Sequence, residues 1–390
     1  MPETVYALFP DRENPIAVTP RALPHSQPSQ TGEQVLPHPF GRPTISVIVA
    51  VNNGGIHFRR CLESLAAAVP PPHEIIVVAD GDTDGSWLVA SELGLPVFRL
   101  PTPSGFAAAR NYGACEAKGG VLLFVDPDVT VPANAIAQVT DVLTYEPEVA
   151  AVFGSYDDAP AAGDFLSQYK NLLHHYAHQR APANASTFWS ACGAVRRSVF
   201  FNVGGFDERR GDAAVEDSEL GEQLHRAGYR TRLCKTLQVK RLSPWRTEGY
   251  FTREAGLRLL PWVAFLLRQR HAFHSFGLHA AGKASVPLTH GFLGALLSAG
   301  HQAEFLLFAG IALLLLLAMN ASLYRFFLKK RGARFANRAL YRQWLLYLYC
   351  GPAFLLSLGL FWRRKLKPAP RSLLLVPEGR PSSLQRPEWR

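Results

Sequence analysis

The sequence is short of several things, and each shortage removes a class of protein. Between residues 305 and 377 there is no Asp or Glu, although Lys and Arg recur there. The formal net charge of +10 is therefore partly a property of the C-terminal third. A basic excess suits nucleic acid, anionic lipid or phosphate-bearing substrates. No zinc-finger, RNA-binding or helix-turn-helix signature accompanies it, so no nucleic-acid partner is expected. The five cysteines (Cys61, Cys115, Cys192, Cys234, Cys350) are scattered without a C-x-x-C pair. That spacing argues against a zinc site and a disulfide framework, and fits a reducing compartment. No Gly-x-Gly-x-x-Gly follows the first strand-like run and no Walker A loop occurs, which removes dinucleotide-dependent dehydrogenases and P-loop ATPases or kinases. A charged-then-apolar targeting pattern is missing after Met1. Residues 1–42 are Pro-rich and polar without periodicity, and are expected to be disordered. The first globular domain is expected to stay in the cytosol.

What is present is an alternation. Ile45–Val51 is a β-branched run ending in Asn52-Asn53-Gly54-Gly55, and a helical stretch follows. Glu74–Val78 ends in Asp80-Gly-Asp82-Thr-Asp84-Gly-Ser86. A short strand at Val97–Leu100 precedes a small-residue helix from Phe106, and Val121–Val125 ends in Asp126-Pro127-Asp128. Strands alternating with helices predict an α/β fold with a mostly parallel central sheet, whose ligands collect at the carboxyl ends of the strands. Each acidic cluster in this run stands at such an end.

The C-terminal third changes character. Phe305–Tyr324 carries no formal charge and is long enough to cross a hydrocarbon core of about 30 Å. Ala284–Ala303 and Gln343–Trp362 are weaker candidates, the second interrupted by Gly351-Pro352. Two or three hydrophobic helices over 284–362 are expected, after an interfacial connector at 263–283 and before a basic, Pro-rich tail at 363–390. Lys329-Lys330-Arg331 should remain on the cytoplasmic side. The expected location is the inner (plasma) membrane, multi-pass, with the first domain cytoplasmic.

Two carboxylates two residues apart past a buried strand, Asp126 and Asp128, can hold one hard divalent cation, Mg or Mn, together with a diphosphate. Asp80 and Asp82 lie on a Gly-bearing turn suited to contacting a base or ribose. Arg110 and Asn111 lie on a helix whose small residues permit close approach to a nucleotide. Glu216 and Asp217 open a helical pattern, where the helix dipole favours an ionised carboxylate. His174, His175 and His178 share a helix neighbourhood but lack carboxylate or Cys partners at metal-ligand spacing, and read as an acceptor-side polar face or plain helix surface.

In this order the motifs resemble the inverting, GT-A-fold glycosyltransferases of family 2, over about Thr44 to Pro261. The resemblance covers the opening strand, the Asp80 loop, the Ala109-Arg110-Asn111 helix and Asp126-Pro127-Asp128. It also covers Phe188-Trp189-Ser-Ala-Cys-Gly193 with Gly204-Gly205-Phe206-Asp207, and Glu216-Asp217. Trp245, Pro261-Trp262 and the hydrophobic tail match bacterial members with membrane segments. The resemblance implies a sugar moved from a nucleotide-diphosphate donor to a membrane lipid or lipid-linked acceptor at the cytoplasmic face. It implies Asp217 as general base, with Glu216 beside it. Asp80, Asp82, Arg110, Asn111, Asp126 and Arg241 would lie on the donor, Asp126 and Asp128 on the metal, and Trp189, Gly193 and Asp207 on the acceptor side. Two departures stand out. Ala79 replaces the first of two adjacent acids in the nucleotide loop, and Arg241 stands where the family commonly has a metal-ligating His. Arg cannot ligate a cation but pairs with phosphate. These departures leave open a catalytically inactive membrane scaffold that binds a nucleotide sugar.

Overall fold

A computed structural model describes residues 42–208, 216–245 and 280–366. The expectations for the N-terminal segment, for Pro261-Trp262, for most of the 263–283 connector and for nearly all of the tail lie outside these residues.

Hydrophobic runs bounded by turn residues become buried strands. β1 (Ile45–Val51), β4 (Val121–Val125) and β6 (Val149–Tyr156) are buried along their whole length, as strands covered on both faces must be. They sit in a nine-stranded sheet with β2 (Glu74–Asp80), β3 (Val97–Leu100), β5 (Val129–Thr130), β7 (Asn184–Ala185), β8 (Cys192–Arg196) and β9 (Arg230–Arg241). The order is β3-β2-β1-β4-β8-β6-β9-β5, with β7 on β9. β1, β2, β3 and β4 pair in parallel, as expected. Beyond β4 only β6 and β9 pair in parallel. β8 runs antiparallel to both β4 and β6, and β5 and β7 run antiparallel to β9, so the sheet is mixed. The parallel reading came from the βαβ rhythm of the first half, whereas β8 enters between β4 and β6 from a later part of the chain.

Two cores cover the faces of the sheet. One packs α1 (Gly55–Ala66) and α4 (Ala135–Tyr145) through Phe58, Leu62, Leu65 and Val139. The other packs α3 (Phe106–Glu116), α6 (Arg197–Asn202) and α7 (Glu216–Arg226) through Phe124, Phe188, Phe200, Phe206 and Leu220. α2 (Ser86–Glu92) follows the acidic turn after β2. Phe124 meets Phe206 edge-on at 5.1 Å, a geometry worth about 0.5–1.5 kcal/mol beyond area burial.

α5 (Phe165–Arg180), N-capped by Asp164 through the Ser167 N–H at 2.9 Å, joins this domain to the C-terminal helices. Those are α8 (Ala280–Ser298) and α9 (Phe305–Leu366). α9 breaks at Gly332, where φ is 78°, a conformation that glycine adopts without a Cβ penalty. Its arms, 305–331 and 333–366, fold back on each other: Tyr347 donates to Asn320 at 2.8 Å, and Asn320 donates to Ser285 of α8 at 2.8 Å. The chain therefore reverses at Gly332 and continues helical through Pro352; the sequence left open whether 343–362 spans or returns at Gly351-Pro352. Near Gly332 the hairpin docks on α5. Tyr169 and Tyr176 donate to Gln343 and Ser322, and Phe327 is buried among Tyr169, Phe165 and Phe335. Arg331 reaches Gln168 and the Asp158 carbonyl, and Lys330 pairs with the Asp158 carboxylate. Away from the domain the same helices expose Leu307 (67%) and Leu314 (68%). By length and composition, one helix among the described residues, at Phe305–Leu356, can cross a membrane, where two or three were expected. α8 falls short because its small, polar and Pro residues dilute its apolar character.

Candidate active site

The site lies at the carboxyl ends of β1, β2 and β4, where the chain turns before its helices and the backbone polar groups are free to face a ligand. On one side the loop after β1 and the loop after β2 lace together. Asn53 Oδ1 accepts from the Thr83 and Asp84 N–H groups, while the Asn53 and Gly55 N–H groups donate to Asp82 and Asp84. Asp82 also accepts from Trp87 N–H at 3.2 Å. Both of its oxygens thus bond to backbone, where a donor contact was expected. Asp80 is 3% exposed and accepts from Ser104 N–H at 2.6 Å and Gly105 N–H at 2.9 Å. It holds the loop that starts α3, and its carboxylate faces that loop.

α3 then presents Arg110 to the centre. One guanidinium nitrogen lies 3.0 Å from Asp126 and the other 3.0 Å from Glu216, between the rings of Phe106 and Phe206. This bridge ties the end of β4 to the start of α7, segments far apart in sequence. Asn111, one residue on, points elsewhere. Its amide donates to Phe206 O and Glu208 and accepts from Phe206 N–H, so it braces the Gly205–Phe206 turn where a donor contact was expected. Asp207 follows that turn and lines a cleft of about 650 Å³ with Asn111, Cys115 and Phe201, on the α6 side of α3.

On the other flank, Asp128 pairs with Arg241 at 2.8 Å. Arg241 also donates to the Tyr156 hydroxyl at 3.0 Å and to Ser243 O, and lies 4.4 Å over the Trp245 ring. Burial raises the Asp128 carboxyl above its ordinary value; Arg241 pulls against this and Asp126 adds to it. Burial likewise raises Glu216 and Asp217, with Arg110 opposing in both cases. Asp217 accepts the Ser190 N–H at 3.0 Å, which places it beside Trp189.

Trp189 is half-buried in an aromatic wall. Its ring centroid lies 4.7 Å from Tyr156, 5.1 Å from His174 and 5.6 Å from His178. Burial drives both imidazoles toward the neutral form, His178 to about 4. Gly193 is required beneath this wall, since a Cβ there would lie 2.3 Å from Trp189 O and 2.6 Å from Phe188 Cζ. The sequence does not assign Tyr156 to the site, whereas it reads His174 and His178 as an acceptor-side polar face or plain helix surface. The position of Tyr156 at the end of a buried strand was the available signal.

Among the described residues no three His, Cys, Asp or Glu side chains converge as a metal cage. What the site offers is the Asp126–Asp128 pair, a donor set of the kind that holds a hard divalent cation jointly with substrate phosphates.

The family model Glycosyl transferase family 2 matches residues 46–204. The chain is 27% identical over 220 residues to N-acetylglucosaminyl-diphospho-decaprenol L-rhamnosyltransferase of Mycobacterium tuberculosis, an alignment covering 47% of this chain and 71% of the relative. It is 29% identical over 149 residues to glycosyltransferase GlyA of Streptococcus pneumoniae, covering 37% of this chain and 21% of that one. A solved mannosyltransferase from Pyrobaculum calidifontis, in complex with GDP-Man and Mn2+, is 20% identical and covers 86% of this chain and 92% of its own, with a TM-score of 0.48. Fold, site and family match together define a glycosyltransferase with a GT-A-like α/β domain. Residues 46–204 match the model of family 2 glycosyltransferases.

Proposed function

We propose that this glycosyltransferase moves a sugar from a nucleotide-diphosphate donor to a membrane-associated lipid or glycolipid acceptor, with inversion at the anomeric carbon and on the cytoplasmic face of the membrane. The observation that carries the reading is the convergence of Asp126, Asp128, Arg110, Glu216 and Asp217 on one crevice at the sheet's carboxyl edge. Arg110 and Arg241 supply positive charge for a diphosphate. Asp126 and Asp128 would hold a divalent cation, which when bound neutralises the departing phosphate oxygens.

Asp217 serves as the base. Burial raises its carboxyl above the ordinary value, which makes its ionised form a stronger base than an ordinary carboxylate. The acceptor oxygen attacks the anomeric carbon, the carbon–oxygen bond to the diphosphate breaks, and the acceptor proton passes to Asp217. Glu216, pinned by Arg110, orients the start of α7, and Trp189 and Gly193 shape the acceptor side. Asp207, given to the acceptor side by the family resemblance, lines the cleft on the α6 side of α3. The exposed leucines of α9 seat the protein on the bilayer, and docking of its hairpin on α5 keeps the acceptor side near the lipid. The decaprenol-linked acceptor named for the mycobacterial relative supports this acceptor class.

The direct test is transfer. Detergent-solubilised protein is given UDP-, GDP- and TDP-sugars with membrane lipid extract, and the anomeric configuration of the product is read by NMR. A product of retained configuration rejects the single displacement.

A further inference from the structure

Of the Asp126–Asp128 pair, Asp128 is held by a guanidinium whose backbone is tied to its own. Asp128 and Arg241 lie 2.8 Å apart, with side chains 19% and 17% exposed. Their backbones cannot separate, because β5 pairs with β9 so that Val129 stands opposite Arg241, and Leu242 N–H donates to Asp128 O at 2.8 Å. Any change of partner must therefore happen at the side chains. A cation approaching Asp128 meets a fixed positive charge. If it displaced the guanidinium, it would leave that charge half-buried without an anion, which is costly. A diphosphate resolves the conflict, since its oxygens match the two-pronged geometry of a guanidinium. The guanidinium lies 4.4 Å over the Trp245 ring and donates to the Tyr156 hydroxyl through its other terminal nitrogen, contacts that can hold it in the crevice while the nitrogen on Asp128 changes partner.

We propose that Arg241 is an exchange residue: it closes Asp128 to cations until a nucleotide diphosphate arrives, then transfers from Asp128 to the diphosphate, so that cation and nucleotide enter together. This rests on the reading of Asp128 as a cation ligand and of the crevice as a diphosphate site. The coupling is reciprocal, so each ligand tightens the other by the same factor. Part of that factor belongs to direct contact between cation and phosphate; the part owed to Arg241 is what its replacement removes.

The test is Mn2+ binding to the full chain in detergent, followed by electron paramagnetic resonance, with and without UDP, GDP or TDP. Arg241→Gln keeps a donor for Tyr156, and Arg241→His is a second variant that adds a ligand. Without nucleotide, both should bind Mn2+ about tenfold or more tighter than the parent protein, within the usual 5–150-fold range of site coupling. Without metal, Arg241→Gln should bind the preferred nucleotide more weakly. Tightening absent from both folded variants would overturn the exchange, as would parent protein that binds Mn2+ alone as well as they do. Asp128→Asn separates the two ideas. If it leaves nucleotide-dependent Mn2+ binding intact, the site assignment itself fails, whatever Arg241 does.

Discussion

The backbone N–H of Ser190 donates to the Asp217 carboxylate at 3.0 Å. That single bond fixes the first turn of α7 against the loop that carries Trp189, and aims the proposed base at the acceptor side. Asp217→Asn keeps the side-chain shape and an acceptor oxygen for Ser190, but cannot take a proton. Turnover should fall by about 10²–10⁴-fold, with nucleotide affinity nearly unchanged. Single-turnover kinetics alongside equilibrium binding separates the two effects, and an unchanged rate would remove Asp217 from the mechanism.

The pH profile follows from the same group. Burial raises the Asp217 carboxyl above its ordinary 3.8, so it takes up its proton at a higher pH than a free carboxylate. A base must be ionised, so kcat should decline on the acid side as pH falls, with the midpoint above that of a free aspartate. Stability runs the other way. The folded state binds this proton more tightly than the unfolded chain, so the Asp217 contribution is greatest at low pH and is lost as pH rises through the folded value. An acid limb at the value of a free aspartate would contradict the assignment.

Arg110 should matter to stability as well as activity. It is 11% exposed and neutralises Glu216, itself 5% exposed. Breaking a buried pair by removing one partner costs about 3–5 kcal/mol, because the other charge is left behind. Arg110→Ala should approach that loss in denaturant unfolding. Adding Glu216→Gln should recover part of it, so that the double variant is less destabilised than the sum. Strict additivity would show that the bridge is not formed.

How much of this was legible beforehand depends on distance along the chain. The strands β1, β2 and β4 and the acids that follow them are local features, and they fell where the alternation placed them. The Arg110–Glu216 bridge joins residues 106 apart, and nothing local announces it. Asp80, Asp82 and Asn111 show the converse limit. Their residue types suit ligand contacts, and each also bonds backbone N–H or C=O groups of a neighbouring loop, a second use of the same atoms that residue type does not announce. The antiparallel entry of β8 was invisible because a buried strand reads alike in either direction. Gly332 was overlooked as the reversal point because the helical pattern continues on both sides of it, while Gly351-Pro352 carries the stronger breaker signal and is absorbed within the second arm.

The exposed face of α9 makes a separate prediction. Leu307 and Leu314 touch little of the protein, so Leu307→Arg with Leu314→Arg should leave the fold in detergent intact. Each charge costs about 2.5–3.5 kcal/mol at the centre of a bilayer on insertion scales. Flotation with phospholipid vesicles should therefore shift the double variant to the unbound fraction. Equal flotation of variant and parent would place the membrane contact elsewhere.

Gly193 offers a packing test. A Cβ at 2.3 Å from Trp189 O cannot be accommodated without moving backbone, and overpacking of this kind costs about 1–3 kcal/mol. Gly193→Ala should lower Tm and disturb the Trp189 wall, read as a change in tryptophan fluorescence. An unshifted Tm would mean the Phe188–Trp189 loop yields freely.

The measurement closest to the central claim is donor turnover by the full chain, using UDP-, GDP- and TDP-sugars with lipid extract, with and without Mn2+ or Mg2+. The account predicts metal-dependent transfer from one donor, abolished in Asp128→Ala and reduced by orders of magnitude in Asp217→Asn. Nucleotide binding without transfer from any donor, by protein shown to be folded, would contradict it and leave a scaffold that only holds the nucleotide sugar.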